Sequence, residues 1–265
     1  MTEGRAVGAL ERPAFLARLS QLTSASDRAW LAALLVGLSF TMVAAYAFPY
    51  PRSPSGKFWA YFGLLIRAAI FLSAGERLRG RGGETLARLF AVGLVAGAFE
   101  LPIDWALVHW VRSGQLVYLT GNDVVLLGSP IWMPLAWACV IVELGYPAVR
   151  LFGVWRVRMG ARAAAIVTTL IVAVSAGNTV GFYEYFAYRA GWWKYLPAHA
   201  MLGGFCALYI PVGEFLMFLA ILPVAARALS DDARPRAATI AAGVWFAVAI
   251  AAGYGVAYLA LEGMR

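Results

Sequence analysis

Charge is scarce in this sequence. Only 14% of its 265 residues are Asp, Glu, Lys or Arg, where a soluble domain carries about 25%. Cysteine and histidine are scarcer still, with two of each. Cys139 and Cys206 sit inside apolar runs, which leaves neither a disulfide framework nor a zinc motif. His109 and His199 fall at expected helix ends and read as interfacial residues, not as ligands of a metal centre. Asp-rich pairs that would hold a diphosphate through magnesium are missing, since Asp231 and Asp232 stand alone in a basic turn. A Gly-rich phosphate loop, a dinucleotide fingerprint and a Ser-His-Asp order are missing too. The opening MTEGRAVGALERPAFLARLSQLTSASDR lacks the apolar core and cleavage site of a signal peptide. No cofactor is called for by any motif.

What is present is apolar. Hydrophobic residues make up 62% of the chain, and the mean hydropathy is +0.72. Runs of about 20 apolar residues require helices, because a lone strand cannot satisfy its backbone in lipid. The expected fold class is an all-α integral membrane protein with seven transmembrane helices. The spans read as 29–48, 57–75, 86–110, 123–146, 162–184, 200–224 and 236–261. Residues 1–28 form a cytoplasmic amphipathic N-terminal segment, and 29–265 a single seven-helix membrane domain. Pro49, Pro51 and Pro54 break the chain after the first span, and Gly80, Gly82 and Gly83 mark the second turn.

The net charge of +8 forms no stripe for nucleic acid, but it orients the chain. Fifteen Lys and Arg lie in the N-terminal segment and in or bordering the turns after spans 2, 4 and 6. Six lie on or bordering the opposite side, and Arg67 alone falls near the middle of a span. The positive-inside rule places the N-terminus in the cytoplasm and the C-terminus outside. The expected location is the cell (inner) membrane.

Several acids then fall at membrane depth, where an ionisable group is read first as functional. Glu214 lies near the middle of span 6 with no base nearer in sequence than Lys194 and Arg227. Glu100 and Asp104, four residues apart, share one face of span 3 near its outer end. Glu184 closes span 5 on the same side, and Glu143 and Glu76 fall in the cytoplasmic half. One chamber open towards the outer leaflet gathers Glu100, Asp104, Glu184 and Glu214, with Asn178 at its wall. Pro102, Pro130, Pro134 and Pro211 free backbone carbonyls on the acid-bearing helices, which favours a widened cavity. A weak internal repeat (spans 3-4 and 5-6) sets FELPIDW, GQLVY and SPIWMPLAW against FYEYFAY, GWWKY and LYIPVGEF. Repeats of this kind place sites at their interface.

Acid–base chemistry on an apolar polyene suits these groups. An apolar setting favours the uncharged form of a carboxyl group, so Glu214 is the expected general acid. Glu100 or Glu184 would stabilise the cation and accept the final proton, with Asp104 orienting Glu100. Aromatic faces stabilise cations, and Trp132, Trp137, Trp193, Tyr118, Tyr185, Tyr195, Trp105, Trp192 and Tyr183 are candidates to line the substrate. Trp192 and Trp193 fit an interfacial aromatic belt equally well.

GWWKYLPAHAMLGGFCALYIPVGEFLMF resembles the repeat unit of the small membrane-embedded, heterodimeric-type lycopene cyclases. That unit has a Gly-x-Trp-x-Tyr loop followed by a helix with Pro-x-Glu-Glu and a Phe-rich run. Gly191, Trp193, Tyr195, Pro211, Glu214, Phe215 and Phe218 match it, and Gly213 stands where the first Glu would be. FELPIDW, GQLVY and SPIWMPLAW are similar to carotenoid hydratase-type proteins and the seven-span terpene cyclases. The resemblance implies a cofactor-free enzyme that protonates an isoprenoid or carotenoid lipid to cyclise, hydrate or isomerise it (an isomerase or lyase). It also implies a possible partner chain, homo- or hetero-oligomeric. Two other classes stay open: a small proton-coupled transporter and a non-catalytic membrane subunit.

Overall fold

The computed structural model describes residues 10–49, 56–119, 123–230 and 233–263. Helices account for 76% of it. In chain order they are α1 (Pro13–Ser20), α2 (Ser24–Ala47), α3 (Gly56–Arg77), α4 (Gly83–His109), α5 (Met133–Met159) and α6 (Ala161–Ala190). Then come α7 (Tyr209–Phe218), α8 (Ile221–Leu229) and α9 (Pro235–Leu261). Six of these are long and apolar enough to cross a membrane, as in a multi-pass membrane protein, or seven if the bent pair α7–α8 forms one span. The N-terminal segment contributes α1, whose Phe15 and Leu19 are buried while Arg12 is exposed.

Helix α5 is the central element, with 67% of its most apolar window buried, whereas α2 buries 28% and turns the rest outwards. Such outward apolar faces suit lipid and need no partner. Two cores share α4 and α5. One, around Trp137, Ile141, Tyr209, Phe218 and Phe246, runs through α6, α7 and α9. The other gathers Phe15, Phe71, Phe90, Tyr146 and Phe152 against α8 at the arginine-rich end. The break between α7 and α8 has a local cause. Pro223 has no N–H to give the carbonyl four residues back, and its ring crowds that group. The chain bends by 42° just before it.

Three short strand pairs cap the other end. Strand β1 (Leu116–Tyr118) pairs antiparallel with β4 (Trp193–Tyr195), bringing Tyr118 opposite Trp193 and Leu116 opposite Tyr195. Two tight hairpins are β2–β3 (Val125–Leu126 with Ser129–Pro130) and β5–β6 (Met201–Leu202 with Cys206–Ala207). Their turns need positive φ, which Leu127 and Gly128 supply in one and Gly203 and Gly204 in the other. The order helix, strand, hairpin, helix therefore occurs twice, as α4–β1–β2–β3–α5 and as α6–β4–β5–β6–α7. These hairpins correct two expected spans. Residues 123–132 and 200–208 do not open helices, and α5 continues through Pro147 to Met159.

Polar ties hold the bundle at several levels, two of them among the described residues being these. At mid-depth, Arg67 of α3 is paired with Glu143 of α5, whose other oxygen accepts from Tyr183 of α6 at 2.9 Å. At the loop end, Glu262 just past α9 accepts from Ser113, from the backbone N–H of His199 at 2.9 Å and from that of Ala200 at 3.3 Å. His199 Nδ1 lies 2.7 Å from the same carboxylate. Burial pushes the Glu262 carboxyl up, but these hydrogen bonds outweigh it and hold the group below the usual carboxylate range.

A lowered carboxyl pKa contributes stability above the unfolded value, roughly pH 4.3, and that contribution is lost as pH falls through the folded value. Melting temperature in detergent should therefore drop below about pH 4.3, and Glu262→Gln should flatten that drop. A variant with the parent's acid profile would remove Glu262 from this role. The mid-depth pair makes a second expectation. Glu143→Gln leaves Arg67 charged and buried, costing about 3–5 kcal/mol, whereas Arg67→Met with Glu143→Leu is near neutral. Denaturation of both variants in the same detergent checks this, and equal losses would contradict it.

Candidate functional site

A cavity of about 140 Å³ lies among α2, α3, α5 and α6, with α7 and α9 closing one side. Its aromatic wall comes from Trp132, Trp137, Trp192 and Trp193, and Phe40 and Trp59 line the side towards α2 and α3. Trp132 stacks on Trp193 at 6.0 Å between ring centroids and meets Trp192 edge-on at 6.3 Å. Two carboxyl groups, Glu184 and Glu214, line the cavity, together with Arg67, Tyr183 and Tyr254.

The end of α6 explains how Glu184 meets its partner. Gly191 adopts φ +69°, and the backbone N–H groups there return to the Ala187 and Tyr188 carbonyls. This left-handed cap is a glycine position. It turns the chain back over the last helical turns, so that Trp193 Nε1 donates to Glu184 Oε2 at 2.6 Å. Alternation along β4 puts Tyr195 on the same face as Trp193, next to Glu184, and leaves Lys194 exposed. The pairing of β1 with β4 then sets Tyr118 edge-on to Trp193 at 6.0 Å. Tyr118 donates its own O–H to Asp104. Ser129 of β3 donates a second hydrogen bond to Asp104 at 2.7 Å.

Glu214 sits on α7, where Tyr254 of α9 donates to its Oε1 at 2.6 Å. The carboxyl group is 3% exposed, and its Oε2 has no hydrogen-bond partner in the structure. Gly213 fits this arrangement. A Cβ there would come within 2.4 Å of the Tyr254 ring, and α9 packs so closely that a Cβ on Gly253 would reach the Gly213 carbonyl at 2.7 Å. The helix pair thus has no room for a second Glu before Glu214. Tyr254 occupies that space and supplies a hydrogen bond instead.

The four acids expected at one chamber are all buried, and none faces outwards. Glu184 and Glu214 line the cavity. Glu100 and Asp104 lie behind its wall, one turn apart on α4, with Trp137 beside Glu100. Trp132, Trp137 and Trp193 line the cavity. Tyr118 and Tyr195 instead hold the carboxylates from the strand pair.

Two expected wall residues are corrected. Asn178 is exposed and bonds its own helix at the Val174 carbonyl, 2.8 Å away. The inward stripe of α6 runs through Gly181 and Glu184, and Asn178 falls off it. Tyr185, one residue past Glu184, packs on Phe205 and Phe186 away from the cavity. Trp105 similarly stacks on His109 at the helix end.

Reading the sequence alone missed Tyr254 and the Arg67–Glu143 pair. Arg67 carried a signal, being the one base near the middle of a span, and Glu143 was set near the end of its span, whereas α5 runs on past it to Met159. Gly37 makes room for this pair, since a Cβ there would come 2.9 Å from Arg67 Nη1. Among the described residues, no group of three His, Cys, Asp or Glu could hold a metal ion.

The close fit at Gly213 is testable. Gly213→Ala should destabilise the fold by about 1–3 kcal/mol through overpacking, and adding Tyr254→Ala should remove most of that penalty. Melting of the single and double variants measures the coupling, and simple additivity would refute the contact.

No curated protein and no solved structure matches the chain. The family model described as Domain of unknown function (DUF6989) matches residues 101–261. That stretch is more than half the chain and holds Asp104, Glu143, Glu184, Glu214 and Tyr254. On that match, the chain belongs to the DUF6989 family.

Proposed function

We propose that this protein is a membrane-embedded acid–base enzyme acting on an isoprenoid or carotenoid lipid. The observation that carries the reading is a pair of buried carboxyl groups on the adjacent helices α6 and α7, lining one aromatic cavity. Each is held by aromatic donors, Trp193 and Tyr195 for Glu184 and Tyr254 for Glu214. In this reading Glu214 is protonated and its Oε2 faces the substrate. It transfers its proton to a double bond of the bound lipid, leaving a carbocation on the chain and a carboxylate on Glu214. The faces of Trp132, Trp137 and Trp193 stabilise that cation, by roughly 0.5–2 kcal/mol each. Glu184, ionised, removes a proton from the carbon next to the cation and restores a double bond. Passing that proton back from Glu184 to Glu214 resets the site, with no net oxidation and no cofactor.

The same reading takes α7–α8 as one bent span, giving seven in all. Arg and Lys cluster at the end away from the strand pairs, which puts the N-terminus in the cytoplasm and the cavity in the outer half of the bilayer. The Gly-x-Trp-x-Tyr loop of the lycopene-cyclase-like proteins supports it through a physical role. Gly191 caps α6, and Trp193 and Tyr195 reach Glu184. The paired acids of that group are not reproduced, because Gly213 replaces the first and Glu184 lies on another helix. Lining the cavity with Glu184 instead of Glu100 selects Glu184 as the proton acceptor.

Glu214→Gln keeps size and a hydrogen-bond acceptor for Tyr254 while removing the acid. It should insert and melt like the parent, yet lose about 10²–10⁴-fold in conversion. Mass spectrometry of isoprenoid lipids from cells carrying either chain measures the change. Unchanged product at equal protein level would end this assignment. Solute uptake into proteoliposomes without any lipid product would favour a carrier instead.

A further inference from the structure

Two residues that line the cavity carry buried hydrogen-bond donors for which the structure shows no partner. Arg67 is 6% exposed and Trp132 is 5% exposed, and both line the cavity. Arg67 Nε and Trp132 Nε1 are buried and have no hydrogen-bond partner in the structure. A buried donor left unsatisfied bears its full desolvation cost, so such groups are normally matched by something. A hydrocarbon offers no acceptor and would leave both costs standing.

Charge decides what kind of acceptor fits. The Arg67 guanidinium is already paired with Glu143, which also accepts from Tyr183. That pair is neutral as a unit, and Glu184 and Glu214 add only potential negative charge. An anionic ligand would meet no spare positive charge and would be repelled. An uncharged oxygen, accepting without bringing charge, meets both requirements. Size sets a further limit. A space near 140 Å³ matches apolar cavities of about 150 Å³ that hold one benzene-sized ring. A long lipid therefore places one end group inside and leaves its tail elsewhere.

We propose that the cavity takes the oxygen-bearing end of an apolar lipid, with a carbonyl, hydroxyl or epoxide oxygen accepting from Arg67 Nε and Trp132 Nε1. This deepens the acid–base reading by naming the chemistry of the substrate's end group, and it rests on that reading for the isoprenoid nature of the tail. The oxygen anchors the end group, so that its unsaturated carbons are held against the aromatic wall beside Glu184 and Glu214.

The test is binding without turnover. The protein in nanodiscs is dialysed against geranylacetone, an isoprenoid ketone, and against the hydrocarbon of the same carbon skeleton, with empty nanodiscs as the baseline. The ketone should be retained at least about tenfold more tightly, the worth of one well-made net hydrogen bond. Trp132→Phe keeps the ring and removes the N–H, and should erase most of that preference while hydrocarbon retention stays the same. Arg67→Met with Glu143→Leu removes the ion pair as a unit and should do likewise. Equal retention of the two probes overturns the proposal. So does a preference that survives both variants, or the absence of specific retention for either probe. A chain that prefers the ketone but converts no lipid upholds this inference and removes the acid–base one. Conversion of a lipid that lacks oxygen, with no ketone preference, does the reverse.

Discussion

Pairing of two three-residue strands, β1 with β4, is the constraint on which the polar interior depends. Each strand follows a helix that brings acids to the same level, Asp104 on α4 and Glu184 on α6. Antiparallel pairing puts the donor for one acid opposite the donor for the other, Tyr118 facing Trp193. A slip of one residue would exchange Trp193 for exposed Lys194 and send both aromatic donors to the far face. Glu184 would then be buried without its donor, at the cost of an unsatisfied carboxylate. Register here is fixed by hydrogen bonding to buried acids as much as by packing.

A second constraint works on the helices. Polar groups at membrane depth are costly unless paired, and several of those described here join neighbouring elements. Arg67 brings α3 to α5 through Glu143, Tyr183 adds α6, and Tyr254 brings α9 to α7. The bundle is thus tied by a few specific contacts where apolar packing alone would permit many arrangements. The cavity lies within this network behind a wall of large aromatic rings, Trp132 stacked on Trp193 and edge-on to Trp192.

Much of this was legible in the sequence, and the failures have physical reasons. Long apolar runs located the helices, because backbone satisfaction in lipid leaves little alternative. The hairpins β2–β3 and β5–β6 were absorbed into spans, since two-residue strands have no detectable period and their residues are as apolar as a helix. That error moved Glu143 towards the arginine-rich end. With α5 starting at Met133 in place of residue 123, Glu143 falls at mid-depth against Arg67. The buried state of Glu100, Asp104, Glu184 and Glu214 was readable because lipid would not tolerate them. Which of them line the cavity was not, since that depends on how α4 and α6 rotate about their axes. Asn178 shows the same limit, as a polar residue at the right depth on the wrong face. Tyr254 could not be found from α9 alone, because its importance comes from the missing side chain at Gly213.

The tie at Glu262 bears on how the protein is made. Of the described helices, α9 is the last to leave the ribosome, yet it supplies Tyr254 to the cavity, and Glu262 just past it ties the loops around Ser113 and His199. Chains fold largely from the N-terminus as they are synthesised. Until α9 inserts, Glu214 has no donor and the segments around Ser113 and His199 have no anchor between them. The polar groups of the earlier segments are therefore fully matched only once α9 is in place, so the last helix of the described chain completes both the site and the tie between the loops.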